Sequence, residues 1–298
     1  DLLDFSSFLL EAEHEGEVVG VDISLDGLRV AAVTNKGTLG MLELPTQRYT
    51  TLIRSHIGPV MALATDPVNR EFATASSDHS VRIWDFDTCD QLYEFDSPSE
   101  VPTCLCYHPL HYMIVAGFSN GIIRVFDIAT TSLIEEHHCH RGQVNALAFS
   151  SDGTRLFSSG EDGVVVVYDC QQAYQPIRML TGFVSMDGKL ALSPDGSLLA
   201  LPIEDGKAIT LLDAASLESR GKISLKSRGP SVHFFQSVRF SPDGESLFAT
   251  SVVSNSLFRF SLPDCTLQMH VSNVHSGDIT DMNVSPNGQY LFTTGSDG

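Results

Sequence analysis

Three stretches of the chain hold residue types that do chemistry at short spacing. "GFSNG" (117–121) has the glycine-x-serine-x-glycine form of a nucleophile elbow, in which a strained turn exposes a serine, here Ser119, for acyl transfer. "EEHHCH" (135–140) offers Glu136, His138 and His140 as oxygen and nitrogen ligands of the kind zinc takes. "CLC" (104–106) sets two thiols two residues apart. What each can do depends on the elements that carry it.

Those elements belong to a repeat. The single tryptophan stands in "SVRIWD" (80–85), and the same register reads "TLGMLE" (38–43), "IIRVFD" (122–127) and "VVVVYD" (164–169) in steps of 42 residues. A second anchor, "HxGxV", occurs as "HEGEV" (14–18), "HIGPV" (56–60) and "HRGQV" (140–144), and with a final isoleucine as "HSGDI" (275–279); "PSEVP" (98–102) stands where the remaining early copy would fall. Later units stretch, as the turn glycine moves from Gly153 to Gly196, Gly244 and Gly288. A period of this size is the mark of a stacked repeat architecture.

Within each unit, short runs of alternating polarity are separated by turn residues. In the second unit they are 60–65, 70–76, 80–86 and 91–95. Apolar residues at every second position turn one side of a strand to a core. The connectors "LDG" (25–27), "SDG" (151–153), "PDG" (194–196 and 242–244) and "PNG" (286–288) supply residues that accept positive φ in tight hairpins. Each unit therefore reads as a four-stranded antiparallel sheet. Such a sheet cannot cover its own faces and must stack on neighbours at ~10 Å, which gives a radial propeller.

Units start near 14, 56, 98, 140, 183, 231 and 275. The last has only "ITDMNVS" (279–285) and "YLFTTGS" (290–296), whereas "DLLDF" (1–5) and "FLLEAE" (8–13) at the other end suit a third and a fourth strand. The expectation is an all-β, seven-bladed propeller over residues 1–298, with its seventh blade split between the chain ends so that no edge is left open. The chain begins at Asp1 without a visible secretory signal and reads as a fragment of a longer protein.

On this scaffold the three chemical stretches weaken. "GFSNG" joins two strands, since "IIRVFDI" alternates, and an elbow needs a helix after the serine. Consecutive positions on an outer strand point to alternating faces, so Glu136, His138 and His140 converge only if the strand stays regular through the loop. Cys104 and Cys106 share one face of an innermost strand, where a thiol packs as a small apolar group. No catalytic residue, cofactor or metal is expected. The six cysteines are dispersed and read as reduced thiols of an intracellular protein. A net charge of −19, from 37 acids against 18 lysines and arginines, argues against nucleic acid or anionic membrane as a direct partner. No apolar run approaches the length of a membrane helix.

The glycine-histidine-like starts, the aspartate in an "SxD" turn and the Trp-Asp strand end resemble the WD-repeat (WD40) family over essentially the whole chain. That resemblance implies a hydrogen-bonded tetrad inside a blade, here His56, Thr74 (rather than Ser76), Asp78 and Trp84, with structural rather than catalytic work to do. In blade four it implies His140, Ser158 and Asp162, with Tyr168 in the tryptophan's place. Blade three, with Pro98, Asn120 and Phe126, departs from the pattern, as does blade one with Lys36 and Leu42 after His14. The seventh set, His275, Thr293 and Asp297, lacks its aromatic member.

A narrower resemblance rests on "SHIGPVMALA" (55–64), "ATASSDHSVRIWD" (73–85), "QLYEF" (91–95), "GFSNGIIRVF" (117–126), "CHRGQVNAL" (139–147) and "LFSSGEDG" (156–163). It is to a centriolar branch of the WD-repeat family, of the basal-body inner-scaffold set, and is strongest over roughly 50–165. It implies a protein-interaction scaffold in centriole, basal-body or cilium assembly, cytoplasmic and cytoskeletal, with other proteins as partners. Family members carry a microtubule-associated domain and further repeats that this sequence lacks, so microtubule contact is implied for parts outside it. A general adaptor for a basic peptide, and a propeller enzyme, are the alternatives. For partner contact the sequence offers Arg228, His233, Phe234 and Phe235 in the stretched connection at 225–237, beside the bland reading that Phe234 or Phe235 starts the next strand. It also offers Asp87, Asp90 and Glu245 on one propeller face, where Asp26, Asp66, Asp152, Asp195, Asp243 and Asp264 join them against Arg29, Arg48, Arg70 and Arg155.

Overall fold

In the computed structural model, described over residues 16–97, 99–182, 189–203, 206–225 and 234–297, every regular element apart from one short 3₁₀ turn is a β-strand. Six antiparallel four-stranded sheets span residues 18–54, 60–96, 102–138, 144–181, 191–223 and 235–271, and a two-stranded sheet pairs Ile279–Val284 with Leu291–Gly295. These are the blades of a β-propeller, numbered here from one, with the two-stranded sheet following blade six. The expected completion of that sheet by residues 1–13 lies outside the described residues.

The alternation seen in the sequence decides which strand goes where. The second and third strands are apolar on both faces; Glu71–Ser76 and Ser80–Asp85 of blade two are mostly buried, whereas its fourth strand, Gln91–Asp96, is mostly exposed. The fourth strand therefore lies at the rim. Two irregularities recur. A bulge falls near the start of the first strand, between Val18 and Gly20, Val60 and Ala62, Val144 and Ala146, Phe235 and Ser237, and Ile279 and Asp281. Another separates the third and fourth strands at the tryptophan position, between Ile83 and Trp84 and between Val167 and Tyr168. Each bulge adds local right-handed twist, which short blades need in order to pack radially.

The first-to-second turns of blades one, four, five and six are built alike. In "SLDG" the Ser24 hydroxyl donates to Asp26 and accepts the N–H of Arg29, while Gly27 at φ 68° takes the conformation a side chain resists. Ser150–Asp152 and Ser193–Asp195 repeat the serine-to-aspartate bond at 2.5 Å, and Ser241 repeats it with Asp243.

The core is divided among seams. Trp84, Phe72 and Phe86 of blade two pack with Ala31, Val33 and Leu39 of blade one. Phe118 and Phe126 of blade three pack with Ala73 and Ile83 of blade two. Tyr168 of blade four joins Val115 and Ile123 of blade three, and Phe157 joins Leu199 and Leu201 of blade five. Phe235, Phe258 and Phe260 of blade six close on Ile209 and Leu211 of blade five. Met282 meets Phe248 and Leu257 of blade six, and Phe292 meets Val21, Ile23 and Val30 of blade one. The apolar contacts thus run from blade one through the two-stranded sheet and back to blade one. At ~25 cal/mol per Å² of apolar area removed from water, these seams are the main stabilising term of the ring.

Candidate functional site

Blade two brings its four polar side chains into one line. The Trp84 indole N–H donates to Thr74 Oγ1 at 2.8 Å, and Thr74 Oγ1 lies 2.7 Å from His56 Nε2. His56 Nδ1 faces Asp78 at 2.9 Å, and Asp78 also accepts the N–H of Ile57 and the hydroxyl of Ser80. The carboxylate fixes the tautomer: Nδ1 carries the proton, Nε2 accepts from the threonine, and the threonine accepts from the tryptophan. Ser76 points elsewhere, donating to the carbonyls of Gly58 and Pro59.

The order hydroxyl, imidazole, carboxylate is that of a nucleophilic triad, but its environment differs. Thr74 is 0% exposed and His56 2%, and the threonine hydroxyl is capped by the indole. No substrate reaches a nucleophile sealed in this way. Burial pushes the His56 pKa down despite the opposing pull of Asp78, so the ring is neutral at physiological pH. For Asp78, burial would raise the carboxyl, but the bonds from Ser80 and His56 outweigh it and hold the group at about 2.

Blade four repeats the arrangement with a weaker end. His140 Nε2 lies 2.7 Å from Ser158 Oγ and its Nδ1 3.1 Å from Asp162, while Tyr168 Oη is 3.3 Å from the serine. In the two-stranded sheet His275 lies 2.9 Å from Asp297 and 3.0 Å from Thr293. Asn120 of blade three makes one short-range bond, accepting from Ile122 N. His14 and Pro98 lie outside the described residues.

The other chemical stretches are also placed. Ser119 sits in a turn between two strands, Met113–Phe118 and Ile122–Asp127. Glu136 is held by Arg124 at 2.7 Å and by His138 at 3.0 Å, while His140 is turned inward to Asp162, so the three do not converge. Among the described residues no group of three or more histidine, cysteine, aspartate or glutamate side chains is arranged to hold a metal ion. Burial raises the thiol of Cys104 to about 12 and that of Cys106 to about 11, so neither is a thiolate nucleophile at neutral pH. All six cysteines are free.

The partner candidates separate. Phe235 starts the first strand of blade six and is 2% exposed between Phe258 and Phe260, which corrects its reading as a contact residue: the alternation that makes it apolar is that of an inner strand. Phe234 is half-buried, with Lys207 Nζ 6.0 Å from its ring centroid. Arg228 and His233 lie outside the described residues. Asp87 is not a free charge either, since Arg29 and Arg70 both pair with it. Asp66 is buried and caps its own turn through the N–H groups of Val68 and Asn69. Asp90 and Glu245 are exposed.

One polar cluster was not read from the sequence at all. Lys189, before the first strand of blade five, reaches Asp281 of the two-stranded sheet at 2.7 Å, and Asp281 also approaches Val21 N of blade one. Asp22 accepts the N–H of Thr65 from blade two at 2.6 Å and the amide of Asn283. Burial would raise Asp281, but Lys189 and Arg239 outweigh it and lower the carboxyl, whereas burial prevails at Asp22 and raises it. Superposing the repeats would have exposed the signal, because Asp22, Arg239 and Asn283 occupy the strand position held by Ala64, Cys106 and Ala148 elsewhere.

Radially packed blades in which a buried imidazole joins a buried hydroxyl and an aromatic side chain to a half-buried carboxylate define a WD-repeat β-propeller. The family model described as "WDR90/POC16, second beta-propeller" matches residues 64–297, and the chain belongs to that family. It is 35% identical to WD repeat-containing protein 90 of Xenopus tropicalis over 98% of its length, and 38% identical to the Mus musculus protein of that name over 85%. It is 40% identical to centriole proteome protein 16 of Chlamydomonas reinhardtii over 99%. The chain spans 14–16% of the length of these relatives.

Proposed function

We propose that this propeller is a non-catalytic protein-interaction scaffold that works in centriole, basal-body or cilium assembly. The observation that carries this reading is the similarity, over nearly the whole chain, to a protein named for the centriole proteome. The sealed Thr74–His56–Asp78 line supports it, because the residues best suited to catalysis are turned to holding a blade together. Its partners are other proteins, centriolar or ciliary components among them, and its location is cytoplasmic and cytoskeletal. Microtubule contact falls to parts of such proteins outside this sequence. The ring is read as seven-bladed, its last blade formed by the two-stranded sheet and residues 1–13; the apolar and hydrogen-bonded seam between that sheet and blade one favours this.

The test is proximity labelling and pull-down from ciliated cells with the propeller alone. Enrichment of centriolar or ciliary proteins over a propeller of unrelated family is expected. A labelled set free of such proteins would sink the assignment. A second reading, an adaptor for a basic peptide segment, is favoured by the exposure of Asp90 and Glu245 on a chain of net charge −19.

A further inference from the structure

The first-to-second turns of all blades lie on one face of the ring and form a collar. Neighbouring turns are close: a Cβ on Gly27 would meet Asn287, one on Gly196 would meet Ser151, and one on Gly288 would meet Pro242. This collar is two-toned. On its apolar half, in the two-stranded sheet and blades one to three, it exposes Tyr290 (46%), Leu25 (59%), Val68 (62%) and Leu110 (63%), with Leu28 beside Leu25. Blades four to six carry no large apolar residue in these turns, which read "SSDGT", "SPDGS" and "SPDGE". The other exposed large apolar side chains are chiefly on fourth strands, as Leu133 and Ile177 are, scattered along the rim.

The charged residues of the turns also differ between the two halves. On the apolar half, Arg29 and Arg70 are neutralised by Asp87 and Asp26. On the polar half, Asp152, Asp195 and Glu245 are exposed and form no ion pair with a cation of the described residues, while Arg155, at the position of Arg29, gives its Nη1 to the Ala214 carbonyl. Their turn bonds do not neutralise them: serine and backbone bonds lower the pKa of Asp152 and of Asp195, so both are charged at neutral pH. Exposed apolar side chains facing carboxylates without ion pairs across one collar have a defined complement. One such side chain on each of four successive turns gives a partner apolar footholds, and the charges set the sign of that partner.

We infer that this collar docks an amphipathic, basic protein segment, its aliphatic side chains on Leu25, Val68 and Leu110 and its lysines or arginines toward Asp152, Asp195 and Glu245. The inference rests on the scaffold reading and names the surface and partner chemistry through which it would act.

The probe is a fluorescent synthetic helix of about 18 leucine and lysine residues with leucines on one face, titrated by anisotropy against the chain. A leucine/glutamate peptide of the same pattern and a serine/lysine peptide are the controls. The leucine/lysine peptide should bind at least tenfold more tightly than either. The triple variant Leu25→Ser, Val68→Ser, Leu110→Ser should weaken it roughly tenfold. Asp195→Asn with Glu245→Gln should weaken it and flatten its salt dependence. Leu133→Ser with Ile177→Ser, on the rim, should leave it unchanged. All these side chains are exposed, so a thermal melt close to that of the parent shows that each variant is folded. Equal binding by the collar variants, binding of the leucine/glutamate peptide, or no binding of the leucine/lysine peptide overturns the docking site. The scaffold reading is judged separately by the pull-down: if the triple variant captures the same proteins as the parent, the collar is wrong and the scaffold stands.

Discussion

Thr280 donates its hydroxyl to the carbonyl of Val18 at 2.7 Å, joining residues 262 apart in the chain. Thr103 makes the same bond to Val144, also at 2.7 Å, across the seam between blades three and four. Both threonines are second in a first strand, and both acceptors open the first strand of the next blade. The seam between the two-stranded sheet and blade one is therefore chemically the same as an internal one. Thr280→Val and Thr103→Val keep shape and remove one donor, so each should cost about 0.5–1.5 kcal/mol in urea unfolding. A cost at Thr103 with none at Thr280 would mean that the terminal seam does not hold in solution.

Removal of residues 1–13 tests the split blade. A two-stranded sheet is marginal by itself and leaves the second of its strands as an open edge. If residues 8–13 supply the outer strand, truncation should lower the melting temperature by several degrees and increase aggregation. A truncated chain that melts with the parent would leave the last blade to be completed in some other way.

The blade-two network predicts a contrast between two turns. Asp78 accepts from His56, Ile57 N and Ser80, whereas Asn120 at the matching position accepts from Ile122 N. Asp78→Ala leaves a buried imidazole N–H with only Ser80 Oγ, 3.2 Å away, and should destabilise by roughly 1–3 kcal/mol, while Asn120→Ala should cost less. Equal losses would show that the line from Trp84 to Asp78 adds nothing beyond turn formation.

The fold was largely legible because its signals are local and repeated. Alternation around "SVRIWD" and the glycines after Asp26, Asp152, Asp195 and Asp243 specify strand, turn and period without reference to the rest of the chain. The blade-two set was legible for the same reason, since its four members keep fixed offsets. What lay hidden depends on ring closure. Lys189 and Asp281 are 92 residues apart and meet only across the ring, and nothing in either neighbourhood marks them as a pair. Asp87 misled in the opposite direction: its sequence context shows a surface acid, but the arginines that neutralise it come from the turns of blades one and two. Phe235 misled because an aromatic beside a long connection suits a contact and a strand start equally, and packing against Phe258 and Phe260 decides it.

His108 gives a prediction with a pH sign. Its Nδ1 accepts the N–H groups of Leu110 and His111 at 3.1 and 3.0 Å, which places the ring proton on Nε2, 3.1 Å from the Gly153 carbonyl of blade four. Asp66 does the same work in blade two, accepting from Val68 N and Asn69 N at the matching offsets. An imidazole thus stands in for a carboxylate as a turn acceptor, and protonation at Nδ1 would break both bonds. Burial first, and then the neighbouring His111, lower its pKa from the ordinary 6.5; the Gly153 bond opposes them without prevailing. Because the folded value lies below the unfolded one, the unfolded chain takes up the proton first as the pH falls. This contribution to stability is complete above about pH 6.5 and declines as the pH drops through the folded value. His108→Asp keeps the turn acceptor, gives up the bond to Gly153 and removes this titration. At pH 7.5 it should stay within about 1.5 kcal/mol of the parent. Between pH 7 and pH 5 its stability in urea should fall less steeply than the parent's, and parallel slopes over that range would show that His108 is not a group whose protonation unfolds the chain.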